Sequence, residues 1–377
     1  LYSPDPDMAL NHLESFLAAQ GSWDAFQSLV RQDLLAVKSL IAIFSNSQYF
    51  SRMLVQGPGL LQDLLEANRE SGLGTAAVLG KKLAAALAEA EGITDRLDAL
   101  RRFKHREEMR IGMADLLSAV PLPAVWHSLS RLAEACLKGA LELAAAETAR
   151  RFGIAASTSG LAVIGAGKLG GRELTYGSDL DILFVFSEEH SGAPPAGTTV
   201  FEYFSKVAEK TISYLTTMTR EGFAYRVDTR LRPTGSKGPL VQSITAFRNY
   251  FSAQAETWER QSLVNSRIVA GDRAVGEAFT STIEELVFRR DDKAALASDI
   301  RAMRRRMEEE LGKEDAAHYN VKQGAGGLVD IEFLAQFLQL VHGTEQRRLR
   351  APGTYNALRA LRKKKLLDDG DYRALMD

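Results

Sequence analysis

Residues 161–186 read LAVIGAGKLGGRELTYGSDLDILFVF, and the fold turns on them. Leu161 to Ile164 is a short apolar run that ends in glycines, the pattern of a buried strand. Asp179 to Phe186 is a second run, with two carboxylates at its mouth and a long apolar tail. Side chains of a strand alternate faces, so Asp179 and Asp181 share one face with Leu183 and Val185. Leu180, Ile182, Phe184 and Phe186 take the other. Two like charges at a strand's buried end repel unless a cation sits between them. Magnesium suits the pair, because it takes oxygen ligands and completes its shell with substrate phosphates. The glycine-rich turn from Gly165 to Gly171, with Gly167, Lys168 and Gly170 inside it, lets backbone N–H groups approach phosphates closely. The local chemistry reads as metal-dependent transfer from a nucleotide.

Downstream, YRVDTRLRP at 225–233 predicts a strand over Tyr225–Leu231. On it Asp228 shares a face with Arg226, Arg230 and Arg232, which suits a triphosphate with metal, since arginine forks bind phosphate oxygens. Three carboxylates on neighbouring strands can hold two ions about 4 Å apart, as in-line displacement at phosphorus requires. The competing reading is an Asp228–arginine ladder on an exposed strand, which leaves the Asp179/Asp181 pair without its cation. Gly165-x-Gly167-x-x-Gly170 formally matches a dinucleotide fingerprint, but only Arg172 to Ser178 separates the glycines from Asp179, too little for the helix that fold needs. A P-loop fails as well, because Leu169 stands where Ser or Thr should hold magnesium.

Other chemistries find little support. The six histidines are scattered without zinc-ligand spacing, and no Gly-x-Ser-x-Gly occurs. Trp258 reads as a packing aromatic beside Glu259. In NVKQGAGGLVDIE at 320–332, a helix cap with acidic first-turn residues explains Asp330 and Glu332. A place for Lys322 beside the nucleotide is the other reading of that segment.

Around this centre the texture is helical. Residues 1–152 carry apolar stripes such as Leu29 to Phe44, a break at Gly57-Pro58-Gly59, and a basic helix in which Arg101, Arg102, Lys104 and Arg106 read as a solvated face. A helix is expected over Val200–Thr219, a surface loop over 187–198, and a helix over Ser243–Ala255. Helical sequence returns from about Arg273. The expected order is helices over 1–152, a small mixed sheet over 153–272, then a helical bundle over 273–377.

At 377 residues the chain is long enough for two or three domains. The net charge of −1 gives no reason to expect nucleic acid or an acidic membrane as partner. No apolar run approaches the roughly 18 residues of a membrane span, and Leu1 to Gln20 has no signal-peptide pattern. The single cysteine, Cys136, cannot form an internal disulfide, which favours a reducing cytoplasmic setting. A start without methionine and a stop in helical sequence at Asp377 suggest a piece of something longer.

Gly167-Lys168-Leu169-Gly170-Gly171-x-Glu173-Leu174 followed by Ser178-Asp179-Leu180-Asp181 resembles the glutamine synthetase adenylyltransferases, members of the DNA polymerase β-like nucleotidyltransferases. Further blocks agree in order: LRRFKHREEMRIG at 100–112, VDTRLRPTGSKGPLV at 227–241, TWERQSLVNSRIVAGD at 257–272 and GGLVDIEFLAQ at 326–336. The resemblance implies an α+β nucleotidyltransferase with a mixed sheet flanked by helices. It also implies AMP transfer from ATP to a tyrosine of glutamine synthetase, with the PII signal protein as a partner of the full-length protein. On this reading Asp179, Asp181 and Asp228 hold two magnesium ions. Gly167, Lys168, Gly170, Gly171 and Ser178 contact phosphates, Arg230 and Arg232 neutralise charge, and Lys322 lies beside the nucleotide. Such proteins carry the unit twice. Tyr176 to Asp181, Thr257-Trp258-Glu259 and Val329 to Glu332 look like the adenylylating half, while Gly238-Pro239-Leu240 and Gly324 to Gly327 also fit the half that removes AMP by phosphorolysis. A non-catalytic module that binds nucleotide or PII is the remaining alternative.

Overall fold

The computed structural model describes residues 4–20, 27, 31, 34–57, 60–61, 73–117, 120–189, 197–314 and 318–376. The chain divides into two compact units, Leu1–Gly139 with Tyr214–Tyr225 and Ala140–Ser213 with Arg226–Asp377.

The first unit is built on helices, among them Pro6–Gln20, Leu34–Asn46, Gln48–Gln56, Ala76–Glu89 and Gly92–Leu116. Their starts follow capping chemistry: the Ser47 hydroxyl accepts the Phe50 amide, and Thr75 accepts that of Val78. Gly57 ends one helix, as the sequence predicts, while Pro58 and Gly59 lie outside the described residues, as does Leu29 of the apolar stripe. The basic helix departs from expectation. Arg102 is exposed, but Arg101 is fully buried and Lys104 nearly so. Arg101 donates to the carbonyl oxygens of Leu97 (2.7 Å), Gly222 (2.8 Å), Tyr214 (3.1 Å) and Thr217. Lys104 pairs with Glu108 at 2.6 Å. The last turn of the helix before 217 and the irregular backbone after it present several carbonyls to one place, and a five-donor guanidinium is the side chain able to reach them all at once.

The second unit holds a mixed five-stranded sheet: β1 Leu161–Gly165, β2 Leu180–Phe186, β3 Val227–Asp228, β4 Val241–Ser243 and β5 Arg267–Gly271. β1 lies between β2 and β5, antiparallel to both, and β3 and β4 run parallel to β2. The antiparallel β1–β2 pair rules out a dinucleotide fold, which needs parallel strands there. Both faces of β2 are covered. Leu183 and Val185 join Ala162 and Ile164 in a core with Phe247, Phe251 and Phe279, whose rings stack at 4.4 Å and meet edge-on at 4.8 Å. On the other face Phe186 meets Phe204 at 5.8 Å.

Three expectations need correction. The strand predicted over Tyr225–Leu231 is only Val227–Asp228, because Asp228 accepts the Arg230 amide at 2.8 Å and turns the chain. Arg230 and Arg232 therefore leave the strand, and the four-residue face does not form. The strands β4 and β5 were not legible in the sequence; β4, at three residues, is too short to show a period. The turn Gly167–Gly171 is one turn of helix. Of the predicted loop at 187–198, residues 190–196 lie outside the described residues. The predicted helices appear as Val200–Thr216 and Ile244–Ala253, the second capped by Ser243.

Arg101→Met removes a fully buried guanidinium's hydrogen bonds to three carbonyls in the 214–222 segment. We expect a loss of about 3 kcal/mol or more, read from the shift in a urea unfolding midpoint.

Candidate functional site

Strand register brings the carboxylates together. In the parallel β2–β3 pair Leu180 stands beside Val227 and Asp181 beside Asp228. Asp181 is held on both flanks: its carbonyl accepts the Ala166 amide at 2.9 Å, and the Leu180 amide donates to Arg226 at 3.0 Å. Asp179 precedes β2 and is exposed, while Asp181 is half-buried. Burial first, then the neighbouring Asp228, Asp179 and Glu332, pushes the Asp181 carboxyl up to about 6, against the pull of Arg230.

Asp228 behaves oppositely. The Arg230 guanidinium grips it through Nε (2.8 and 3.0 Å) and Nη2 (2.5 Å), which holds its pKa below the ordinary value. Arg230 itself is 78% exposed, so the pair sits at the surface. Among the described residues, no three His, Cys, Asp or Glu groups form a ready metal cage. Asp228 is turned onto Arg230 instead. The donor chemistry nevertheless fits a hard divalent cation: Asp181 carries a charge that its surroundings oppose and that no protein cation fully offsets.

The glycines divide by role. Gly167 has φ 50°, and a Cβ there would run into the Asp181 carboxylate. A Cβ on Gly170 would strike the Asn265 carbonyl, and Gly171 packs against Gly353. Arg267 on β5 donates to the Leu169 and Gly170 carbonyls, both at 2.9 Å, satisfying the end of the short helix. Gly170 and Gly171 are thus required by packing, while Gly167 lies against the Asp181 carboxylate.

The other predicted residues are placed as follows. Ser178 closes a tight turn with Thr175, hydroxyl to hydroxyl at 2.9 Å. Arg232 is spent on its own loop, donating to Thr229 (2.6 and 2.7 Å), Gly238 (3.1 Å) and Ser236 (3.3 Å). Lys322 is exposed and lies close enough to Lys168 to lower its pKa. Desolvation is the larger cause of that lowering, and Glu332, Glu173 and Asp181 oppose it. Lys168 thus sits within electrostatic reach of Lys322, Glu332, Glu173 and Asp181, a setting of mixed charge suited to phosphates that bring their own metal.

Sequence reasoning missed Glu332. It sits on the helix Leu328–His342 and is raised in pKa, first by burial and then by Glu173. Gln336 donates to it at 3.0 Å and accepts from Gln261 at 2.9 Å. A signal was present: Val329, Glu332 and Gln336 follow helical spacing, and Val329 and Gln336 are buried. Asp330 points elsewhere, to Arg304 at 2.6 Å and the Gly326 amide at 2.7 Å. Trp258 is not a packing aromatic; it is 38% exposed and donates to Glu256.

Residues 37–282 match the family model described as glutamate-ammonia ligase adenylyltransferase. Residues 300–377 match one described as GlnD PII-uridylyltransferase. The chain is 36% identical over 340 residues to a bifunctional glutamine synthetase adenylyltransferase/adenylyl-removing enzyme of Chromobacterium violaceum, covering 90% of this chain and 37% of that protein. It is also 36% identical over 344 residues to the protein of the same description from Nitrosococcus oceani, covering 88% of this chain and 36% of that one. The chain thus spans little more than a third of these relatives.

Two outcomes follow from the geometry. Asp181→Asn should raise the thermal midpoint of the metal-free chain above about pH 6, since the folded state then no longer carries an opposed charge. Because the folded pKa is raised, wild-type stability falls as pH climbs from the unfolded value through the folded one. The two proteins should therefore converge only below the ordinary aspartate pKa of about 3.9, where Asp181 of the wild type is protonated in the folded and the unfolded state alike. Added magnesium should stabilise wild type and leave the variant unmoved. Separately, Gly170→Ala should cost about 3 kcal/mol by urea melt, because backbone must shift.

Proposed function

The chain belongs to the glutamate-ammonia ligase adenylyltransferase family, and on that premise we propose that it moves AMP from ATP to a tyrosine of glutamine synthetase, as the adenylylating unit of a longer enzyme. The observation that carries this reading is the register that sets Asp181 beside Asp228, with Gly167 close against the Asp181 carboxylate. The β1–β2 antiparallel pair with β3 parallel to β2 supports a polymerase β-like nucleotidyltransferase sheet.

Asp179 and Asp181 would hold magnesium, joined by Asp228. The ion supplies charge neutralisation on the phosphate oxygens. Lys168 and Lys322 bind the negative phosphates, and the Gly167 backbone allows close approach. Arg230 gives up Asp228 and turns to the phosphates as the nucleotide brings charge, which suits an exposed guanidinium on a short side-chain pair. Arg232 keeps the 229–238 loop in shape so that Arg230 presents itself there. Asp228, released, would complete the metal site and help activate the incoming tyrosine hydroxyl. Bond breaking at the α-phosphorus expels pyrophosphate, and positioning with electrostatics supplies most of the rate. The match of residues 300–377 to a PII-uridylyltransferase model supports a link to PII signalling in the longer protein.

Mass spectrometry of glutamine synthetase incubated with this chain, ATP and magnesium tests the reading. A gain of one AMP on a tyrosine is expected, and Asp179→Asn should slow it about 100-fold or more. Loss of AMP from pre-modified enzyme with phosphate, and no gain, would instead assign the adenylyl-removing unit named in the relatives' descriptions.

A further inference from the structure

Glu173 lies in the glycine-rich stretch, yet its carboxylate points to a distant part of the chain. It accepts the amides of Thr354 at 3.0 Å and Tyr355 at 2.8 Å, 181 and 182 residues away. These are the first amides of the helix Thr354–Lys363, whose N-cap is Gly353. Helix starts leave amides without partners, and a Ser, Asp or Asn at the N-cap usually satisfies one. Gly353 brings no side chain. It also cannot be exchanged for a capping residue, because its φ is 100° and a Cβ would press on the Gly171 carbonyl. Glu173 therefore caps this helix from afar.

The same residue finishes the glycine helix. Its amide donates to the Lys168 carbonyl at 2.8 Å, and Gly171 packs against Gly353, whose amide donates to Asn265 Oδ1 at 2.8 Å. The anchor is rigid, since Ala357, Leu358 and Leu361 of the capped helix are buried with Leu349 and Ala335. Burial raises the Glu173 carboxyl, and the two amide bonds pull it back.

Resting on the nucleotide reading of the site, we infer that Glu173 is a positioning residue, fixing the Gly167–Ser178 segment, and with it Lys168 and Asp179, by tying it to the helix Thr354–Lys363. Without the tie, the segment keeps its sequence and its glycines but loses its anchor on a buried helix, and the Lys168 carbonyl bonded to the Glu173 amide loses it too.

Calorimetric titration of Mg·ATP into the whole chain, with hydrogen–deuterium exchange on the nucleotide-free protein, tests this. Glu173→Gln and Glu173→Ala should raise Kd about ten-fold with stoichiometry still near one, and amides 168–178 should exchange faster together with those of 354 and 355. A merely structural role would lower the stoichiometry, as part of the protein unfolds, at constant Kd; that result overturns the inference. So does an unchanged Kd in a wild-type chain that binds Mg·ATP and in both Glu173 variants, while the nucleotide site stands. Wild type that fails to bind Mg·ATP overturns the nucleotide reading, and with it the positioning role, whatever the exchange shows.

Discussion

Like charge held in register is the constraint on which the second unit depends. A parallel pair of strands admits no choice about which side chains stand abreast, and here it sets Asp181 beside Asp228. Water would screen that repulsion; half-burial does not. The protein answers it unevenly, giving Asp228 a bidentate arginine and leaving Asp181 with a raised pKa. On the function proposed above, this asymmetry is what would draw a cation to the place. A site with every charge already paired would have little reason to bind one.

Around this core of strain the packing is conservative. Phe247, Phe251 and Phe279 form a compact aromatic group under Ala162, Ile164, Leu183 and Val185. Burying several such rings, each with roughly 150–250 Å² of surface, fixes the position of β2 firmly enough to hold an unfavourable carboxylate at its mouth. The glycines serve the same end. Their lack of a Cβ is needed at 170 because backbone of Asn265 lies against it, and at 167 because a carboxylate does.

The centre of the fold was legible because its signals are local. Two apolar runs, a glycine cluster and an i, i+2 carboxylate pair lie within 161–186, and β1 and β2 follow them closely. What escaped depends on partners far away in sequence. β5 pairs with β1 across a hundred residues of chain, and RIVAG alone does not announce that. The Tyr225–Leu231 strand stopped early because a short Asp side chain captured a backbone amide two residues on, a competition that alternation of residue types does not reveal. Arg101 read as surface because charge usually is; the carbonyls of Tyr214, Thr217 and Gly222 that draw it inside are more than a hundred residues off. Glu332 was hidden for a similar reason, since an acidic residue near a helix start has an ordinary explanation that needs no second site.

The bonds from Glu173 to Thr354 and Tyr355 also bear on how the molecule is made. Closing a loop of that span is entropically costly, and contacts of high sequence separation form late in folding. On a ribosome the glycine helix and both flanking strands emerge long before residue 354, so they wait with one wall missing. The glycine turn is thus among the last parts of the second unit to reach its final shape, and a nascent chain cannot display it complete until the helix Thr354–Lys363 has been synthesised.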